Sequence, residues 1–216
     1  MGLANHLQGE LGMRHAWRLL IGALAAGLSC ASAAAQPSES DDYTRYELLA
    51  PETAQFRIVY EVTATTPGAA YYFNPIRKGS EATDEAVYDR MTGKPLRFEV
   101  VSGAEARAAG QANADLDTRY IKVHLRRPVP SGGELRLRID KTYRDPKSYF
   151  VAGDRLVFTR SLGVRRNSVV LPPGHELVAC NVPAQVLQEP DGRLKVSFIN
   201  PGPDAAGVVV KARRLP

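Results

Sequence analysis

From residue 55 onward, apolar and polar residues alternate. Phe56, Ile58, Tyr60 and Val62 fall on one side of an extended chain, and Arg57, Glu61 and Thr63 fall on the other. That two-residue period belongs to a half-buried strand. The pattern returns at Leu96, Phe98 and Val100, at Ile121, Val123 and Leu125, and at Leu135, Leu137 and Ile139. It appears again at Leu194, Val196 and Phe198, and at Val208 and Val210. So many strands cannot all be edges of one sheet. The residues between them are hairpin residues: 89–94 separate Val87 and Tyr88 from the strand at Leu96, and 189–193 precede Leu194. Each places a glycine where a positive φ closes a loop. Residues 128–133, rich in Pro and Gly, turn the chain between two further strands. The one helical candidate, 104–109, runs into Gly110 and a polar stretch, which reduces it to a loop with a single turn. The pattern predicts an all-β fold, a two-sheet antiparallel β-sandwich with strands entering about every ten residues.

The first 35 residues break this pattern and read as a cleaved export signal. Leu19 to Leu28 is an apolar run behind Arg14 and Arg18, and Ala33, Ala34 and Ala35 supply a small-residue cleavage site. The run is too short to span a bilayer. Glu10, Asn5, His6 and Gln8 add nothing to a positive leader, which makes Met13 an alternative start. No twin-arginine pair is present, so general secretion is favoured. A rival reading has Cys30 as a lipoprotein anchor, but Gly27 stands where a large aliphatic residue belongs, and plain cleavage near Ala35 is preferred. Residues 36–44 then read as a flexible spacer and 45–216 as one β-sandwich domain. The expected location is periplasmic or extracellular, with no transmembrane span in the mature chain.

Composition narrows the class. The chain is 44% hydrophobic and 24% charged, which excludes collagen-like, coiled-coil and wholly disordered proteins. With 28 basic and 23 acidic residues the net charge is +5. So small a net charge, with no recognition module and an export signal, excludes nucleic acid as a partner. Cleavage would remove Trp17 and Cys30 and leave Cys180 as the sole thiol, so no internal disulfide is available. The neighbouring Val178 and Val182 favour its burial.

Candidate chemistry is sparse. His175 and Glu176 begin an H-E-x-x-H pattern, but Ala179 occupies the second histidine position and Pro172, Pro173 and Gly174 before it make turns. His124, His175 and Cys180 are too few for a zinc site, so no metal is expected. A G-x-S-x-G elbow and a glycine-rich phosphate loop are missing, and no cofactor or catalytic residue is assigned. His175 and Cys180 are five residues apart, and Asp140 and Asp145 are likewise close in sequence, but neither spacing makes a catalytic pair. The arginines are more informative. Arg136 and Arg138 leave one face of one strand, Arg126 closes an adjacent segment, and Arg160, Arg165 and Arg166 follow. Arg126, Arg136, Arg138, Arg165 and Arg166 are therefore the candidate binding set for an anionic ligand: lipopolysaccharide, an acidic polysaccharide or a partner's acidic face. The alternative is that they are solvated beside Glu134, Asp140 and Asp154.

Three stretches also carry a resemblance: Tyr143 to Pro146, Leu156 to Gly163, and Arg166 to Val178. They resemble uncharacterised exported bacterial β-sandwich proteins, which in turn are similar to the amino-terminal domain of the aminopeptidase N family. By strand order the likeness covers residues 45–213, and at the level of words 143–200. In that family the sandwich precedes a catalytic zinc domain. Here the chain ends at Pro216 without H-E-x-x-H, so the resemblance implies the sandwich fold and carries over no activity or catalytic residue. The expectation is an exported, non-catalytic binding or scaffolding module of unknown ligand, its partner an envelope protein or an anionic polysaccharide. The alternatives are a carbohydrate-active enzyme and an accessory subunit of a separate peptidase.

Overall fold

The computed structural model describes residues 41–216. The predicted export signal, Met13, Trp17, Cys30 and residues 36–40 of the predicted spacer lie outside the described residues. Fourteen strands and one short helix follow in order: β1 (Tyr43–Leu48), β2 (Gln55–Ala64), β3 (Tyr71–Pro75), β4 (Glu81–Asp89), β5 (Phe98–Ser102), α1 (Gly103–Ala108), β6 (Arg119–His124) and β7 (Leu135–Arg144). The second half holds β8 (Tyr149–Ala152), β9 (Arg155–Leu162), β10 (Arg166–Val170), β11 (His175–Cys180), β12 (Gln185–Gln188), β13 (Leu194–Ile199) and β14 (Ala206–Arg214). The first strand thus starts at Tyr43, two residues inside the stretch read as spacer.

The expected all-β, antiparallel sandwich is what forms, with two differences. The first is that the strands make three hydrogen-bonded sheets. A seven-stranded sheet runs β12-β13-β10-β1-β2-β7-β4, a four-stranded sheet β11-β14-β9-β8, and a three-stranded sheet β3-β6-β5. The inner face of the large sheet supplies Tyr46, Phe56, Val87, Ile139 and Val169 to one core, the four-stranded sheet adds Leu156, Phe158 and Val210, and the three-stranded sheet adds Ile121 and Val123. The large sheet is therefore one layer, and the two small sheets lie side by side as the other. Phe158 joins the layers through aromatic contacts, with its ring 5.3 Å from that of Tyr46 and 5.5 Å from that of Phe56. The second difference is that β1 pairs in parallel with β10. No hairpin connects these strands, so nothing local forces them to run antiparallel.

The parity of β2 and β7 decides what faces the core. Phe56, Ile58 and Val62 point inward, opposite Tyr143, Lys141 and Leu137 of the neighbouring strand. The inward row of β7 thus continues from Leu135, Leu137 and Ile139 into Lys141 and Tyr143. The predicted hairpin at 189–193 joins β12 to β13, with Gly192 at φ +84. The predicted hairpin at 89–94 closes with Gly93 at φ +67, but beyond a single bridge from Tyr88 to Pro95 the chain leaves β4 and enters the three-stranded sheet as β5.

The segment read as a loop with one turn is a six-residue helix, α1. Ser102 accepts from the Glu105 backbone N–H while the Glu105 carboxylate accepts from the Ser102 N–H. This reciprocal capping box holds so short a helix. Ala106 anchors it in a small satellite core, and a Cβ at Gly103 would lie 2.1 Å from the Asp115 carbonyl oxygen. Cys180, at the end of β11, is half-buried and packs with Val182 against the main core, whereas Val178 is 42% exposed.

Candidate functional site: a basic cleft where the second layer divides

Where the two small sheets part, a narrow cleft reaches the inner face of the large sheet, whose side chains there stay largely buried. Thr44 and Tyr46 of β1, Ile58 and Tyr60 of β2, and Lys141 and Tyr143 of β7 line the resulting cleft of about 330 Å³. Pro75 and Arg77 border it from the β3 side, and Arg160 and Val164 from the β9 side. Arg77 straddles the division. Its backbone N–H donates to the Tyr143 hydroxyl at 3.1 Å, and its Nη1 reaches the Ser161 carbonyl of β9 at 3.4 Å.

Lys141 is 5% exposed. Its Nζ donates to Asn74 Oδ1 at 2.5 Å and lies 4.9 Å from the Tyr143 ring centroid. Burial, reinforced by the Arg160 charge and opposed by Glu85, pushes the ammonium down to about 7. Arg160 comes from the opposite layer. Its guanidinium carbon lies 5.1 Å from the centroid of Phe56, 5.6 Å from that of Tyr143 and 5.8 Å from that of Tyr46. Nη1 donates to Asp145 Oδ2 at 3.0 Å, but the buried Nε has no hydrogen-bond partner. Burial lowers the Arg160 guanidinium from its ordinary value. Burial likewise resists ionisation of Asp145, yet hydrogen bonds from Ser148 and Ser80 and the Arg160 charge outweigh it and hold the carboxyl below the usual range. The stretches that carry the resemblance, 143–146 and 156–163, thus contain both halves of a buried ion pair and part of the cleft wall.

The arginines predicted as a binding set lie elsewhere. Arg138 donates to both oxygens of Asp140 at 2.7 Å, and Arg57 reaches the same carboxylate at 2.8 Å. Arg136 pairs with Glu134 at 2.9 Å, Arg126 lies 3.7 Å from Asp89, and Arg166 lies 2.8 Å from Asp41. Arg126 and Arg136 share a surface depression that Glu134 also lines. Arg165 and Arg166 sit at the start of β10, which β1 and β2 separate from β7. Between Arg166 and Arg138, on one cross-strand row, stand Tyr43 and Glu61. The fold brings Arg126, Arg136 and Arg138 to one end of the large sheet and sets Arg165 and Arg166 apart.

His175 and Cys180 occupy opposite ends of β11, which the strand rise puts about 16 Å apart, too far for a nucleophile and its base. His124 lies 3.2 Å from Glu99 on an outer face. Among the described residues no group of His, Cys, Asp or Glu is placed to hold a metal ion, and no helix is long and apolar enough to cross a membrane. Sequence reasoning missed Lys141, Arg77 and Asn74. A signal for Lys141 was present, because it occupies the apolar parity of its strand between Ile139 and Tyr143.

No protein-family profile matches the chain, and no curated protein sequence does. Solved structures do. The M1 zinc metallopeptidase from Deinococcus radiodurans aligns with TM-score 0.52 and 10% identity over 80% of this chain and 41% of that one. A mutant of the enzyme from the same organism, bound to a Tyr-Ser-Ala substrate, gives 0.51 and 10% with the same coverage. A two-domain M1 zinc metallopeptidase mutant bound to L-arginine gives 0.50 and 11%, again over 80% and 41%. The chain spans less than half the length of these peptidases. At such identity the likeness is one of fold: the chain shares the fold of the part of these M1 zinc metallopeptidases that it covers.

Proposed function

We propose that this chain is an exported, non-catalytic β-sandwich module that binds or scaffolds a component of the bacterial envelope. The observation that supports it most is that the structural likeness spans 80% of this all-β chain but only 41% of the peptidases. Two further facts agree with it. The separation of His175 from Cys180 removes the one nucleophile–base pair the sequence offered, and the apolar run from Leu19 to Leu28 has the pattern of an export signal. The same likeness favours a second reading, in which the module packs on a separate peptidase chain and completes it.

Fractionation of cells expressing the full chain with a carboxy-terminal tag tests the first reading, together with intact mass of the recovered protein. The expected result is envelope protein beginning at Gln36 that hydrolyses neither aminoacyl anilides nor polysaccharide, with or without added zinc. Unprocessed protein held in the cytosol would overturn the export part. Turnover that follows the protein peak through successive columns would overturn the non-catalytic part.

A further inference from the structure

The charges around the cleft do not balance. Three cations border it, Lys141, Arg160 and Arg77. Of these, Arg160 is neutralised by Asp145 at 3.0 Å. Lys141 has only the neutral Asn74 amide as a hydrogen-bond partner among the described residues, so donors of a buried ammonium are left over. The buried Nε of Arg160 is also without a partner, and Arg77 reaches across the gap with a single long hydrogen bond to a carbonyl. Buried donors left unsatisfied are rare and call for a group that satisfies them. Glu85 acts on Lys141 from a distance but forms no ion pair with it, and a buried cation without a paired carboxylate calls for an anion.

The remainder of the lining defines what that anion carries. Ile58, Pro75 and Val164 contribute apolar surface, with tyrosine rings beside them, and the volume of about 330 Å³ lies at the small end of ligand pockets. Two cations lack a carboxylate partner and apolar walls flank them, which suits an organic monoanion better than inorganic phosphate. We propose that this cleft binds a small organic monocarboxylate, with the carboxylate between Lys141 and Arg77 and its apolar body against Ile58 and Val164. The inference rests on the reading of the chain as a binding module, names the ligand class, and places the site away from the arginines of the outer face.

Thermal shift and calorimetric titration of the full purified chain test it, with benzoate as the monocarboxylate, benzamide as its neutral isostere, and inorganic phosphate as the competing anion. Benzoate is expected to raise the melting temperature saturably, because a ligand of the folded state alone stabilises it. Benzamide is expected to give no shift. Lys141→Met and Arg77→Gln should each weaken benzoate at least tenfold, and Arg136→Gln on the outer face should leave it unchanged. Arg77 is exposed, so its variant keeps the test valid if Lys141→Met does not fold. Absence of a saturable shift, an equal response to benzamide, or benzoate binding retained in Arg77→Gln overturns the site. Tighter binding of phosphate overturns the carboxylate assignment. These outcomes are independent of processing and turnover, so a failure here is distinguishable from a failure of the module reading.

Discussion

Replacing Lys141 by Met tests the physical account of the cleft floor, because it removes a buried charge and changes the volume of the side chain little. The ordinary lysine value of 10.5 falls to about 7 in the folded protein. That gap of roughly 3.5 units, at about 1.36 kcal/mol each, sets a ceiling of about 5 kcal/mol on the burial penalty. The sign follows from proton counting. Below pH 7 both states hold the proton and the full penalty is present. Between pH 7 and 10.5 the unfolded chain holds the proton while the folded one has shed it, so stability rises with pH across that window. Met abolishes this dependence, but it also strands Asn74 Oδ1 in a residue 6% exposed, a pH-independent cost of about 1–3 kcal/mol. The variant should therefore be the more stable protein at pH 6, by about 2–4 kcal/mol at most. By pH 10 it should be the less stable one. Urea unfolding of both proteins between pH 6 and 10, at fixed ionic strength, reads the difference directly, because every other titrating group cancels. A difference that stays constant over that range would refute the reasoning.

Cutting the Arg160–Asp145 pair from one side, with Arg160→Met, should cost about 3–5 kcal/mol in urea unfolding, because it leaves a buried carboxylate without its counter-charge. Removing both partners with Asp145→Leu added should cost less than the sum of the two single changes. Ile58→Asp puts a charge at a position 4% exposed and should cost several kcal/mol or abolish soluble expression. On the opposite face, Arg57→Gln should cost no more than about 1 kcal/mol, since Asp140 retains Arg138. Arg57→Asp would cost more, because it sets a second carboxylate against Asp140. Glu105→Ala removes half of the capping box and should lower stability by about 1 kcal/mol, seen as a drop in melting temperature without loss of the main fold.

What could be read in advance depended on how each strand is buried. β2, β6, β7, β13 and β14 each show one face to the core, and their alternation was plain. Leu156, Val157 and Phe158 of β9 are buried in succession, as are Asn167 to Val170 of β10, so covering on both faces erases the period that would mark them. β12 fails for the opposite reason, since all four of its residues are exposed and it shows no apolar face. The parallel β1–β10 pair is set by partners distant in sequence, and no local pattern encodes it. The same limit applies to the outer arginines: Asp41 and Asp89 became partners of Arg166 and Arg126 only through the fold. Lys141 is a different case. Its parity was visible, but lysine in an apolar row reads as the end of the row unless the tyrosine that follows is given equal weight.

The parallel pairing of β1 and β10 also constrains the order of assembly. Tyr43 and Ser168, 125 residues apart in sequence, share a hydrogen bond of 2.6 Å. One of the earliest strands of the described chain therefore completes its ladder against one of the later strands. β2 can satisfy the other side of β1 at once through a short connection, but the edge that β10 will fill stays open until most of the chain is available. Closing so long a loop is entropically costly and slow. Until it closes, the row of unpaired N–H and C=O groups on β1 is a template for a strand of any other copy. A chain stopped after β9 would keep that edge open permanently, and its expected fate is edge-to-edge association, with β1 at the seam.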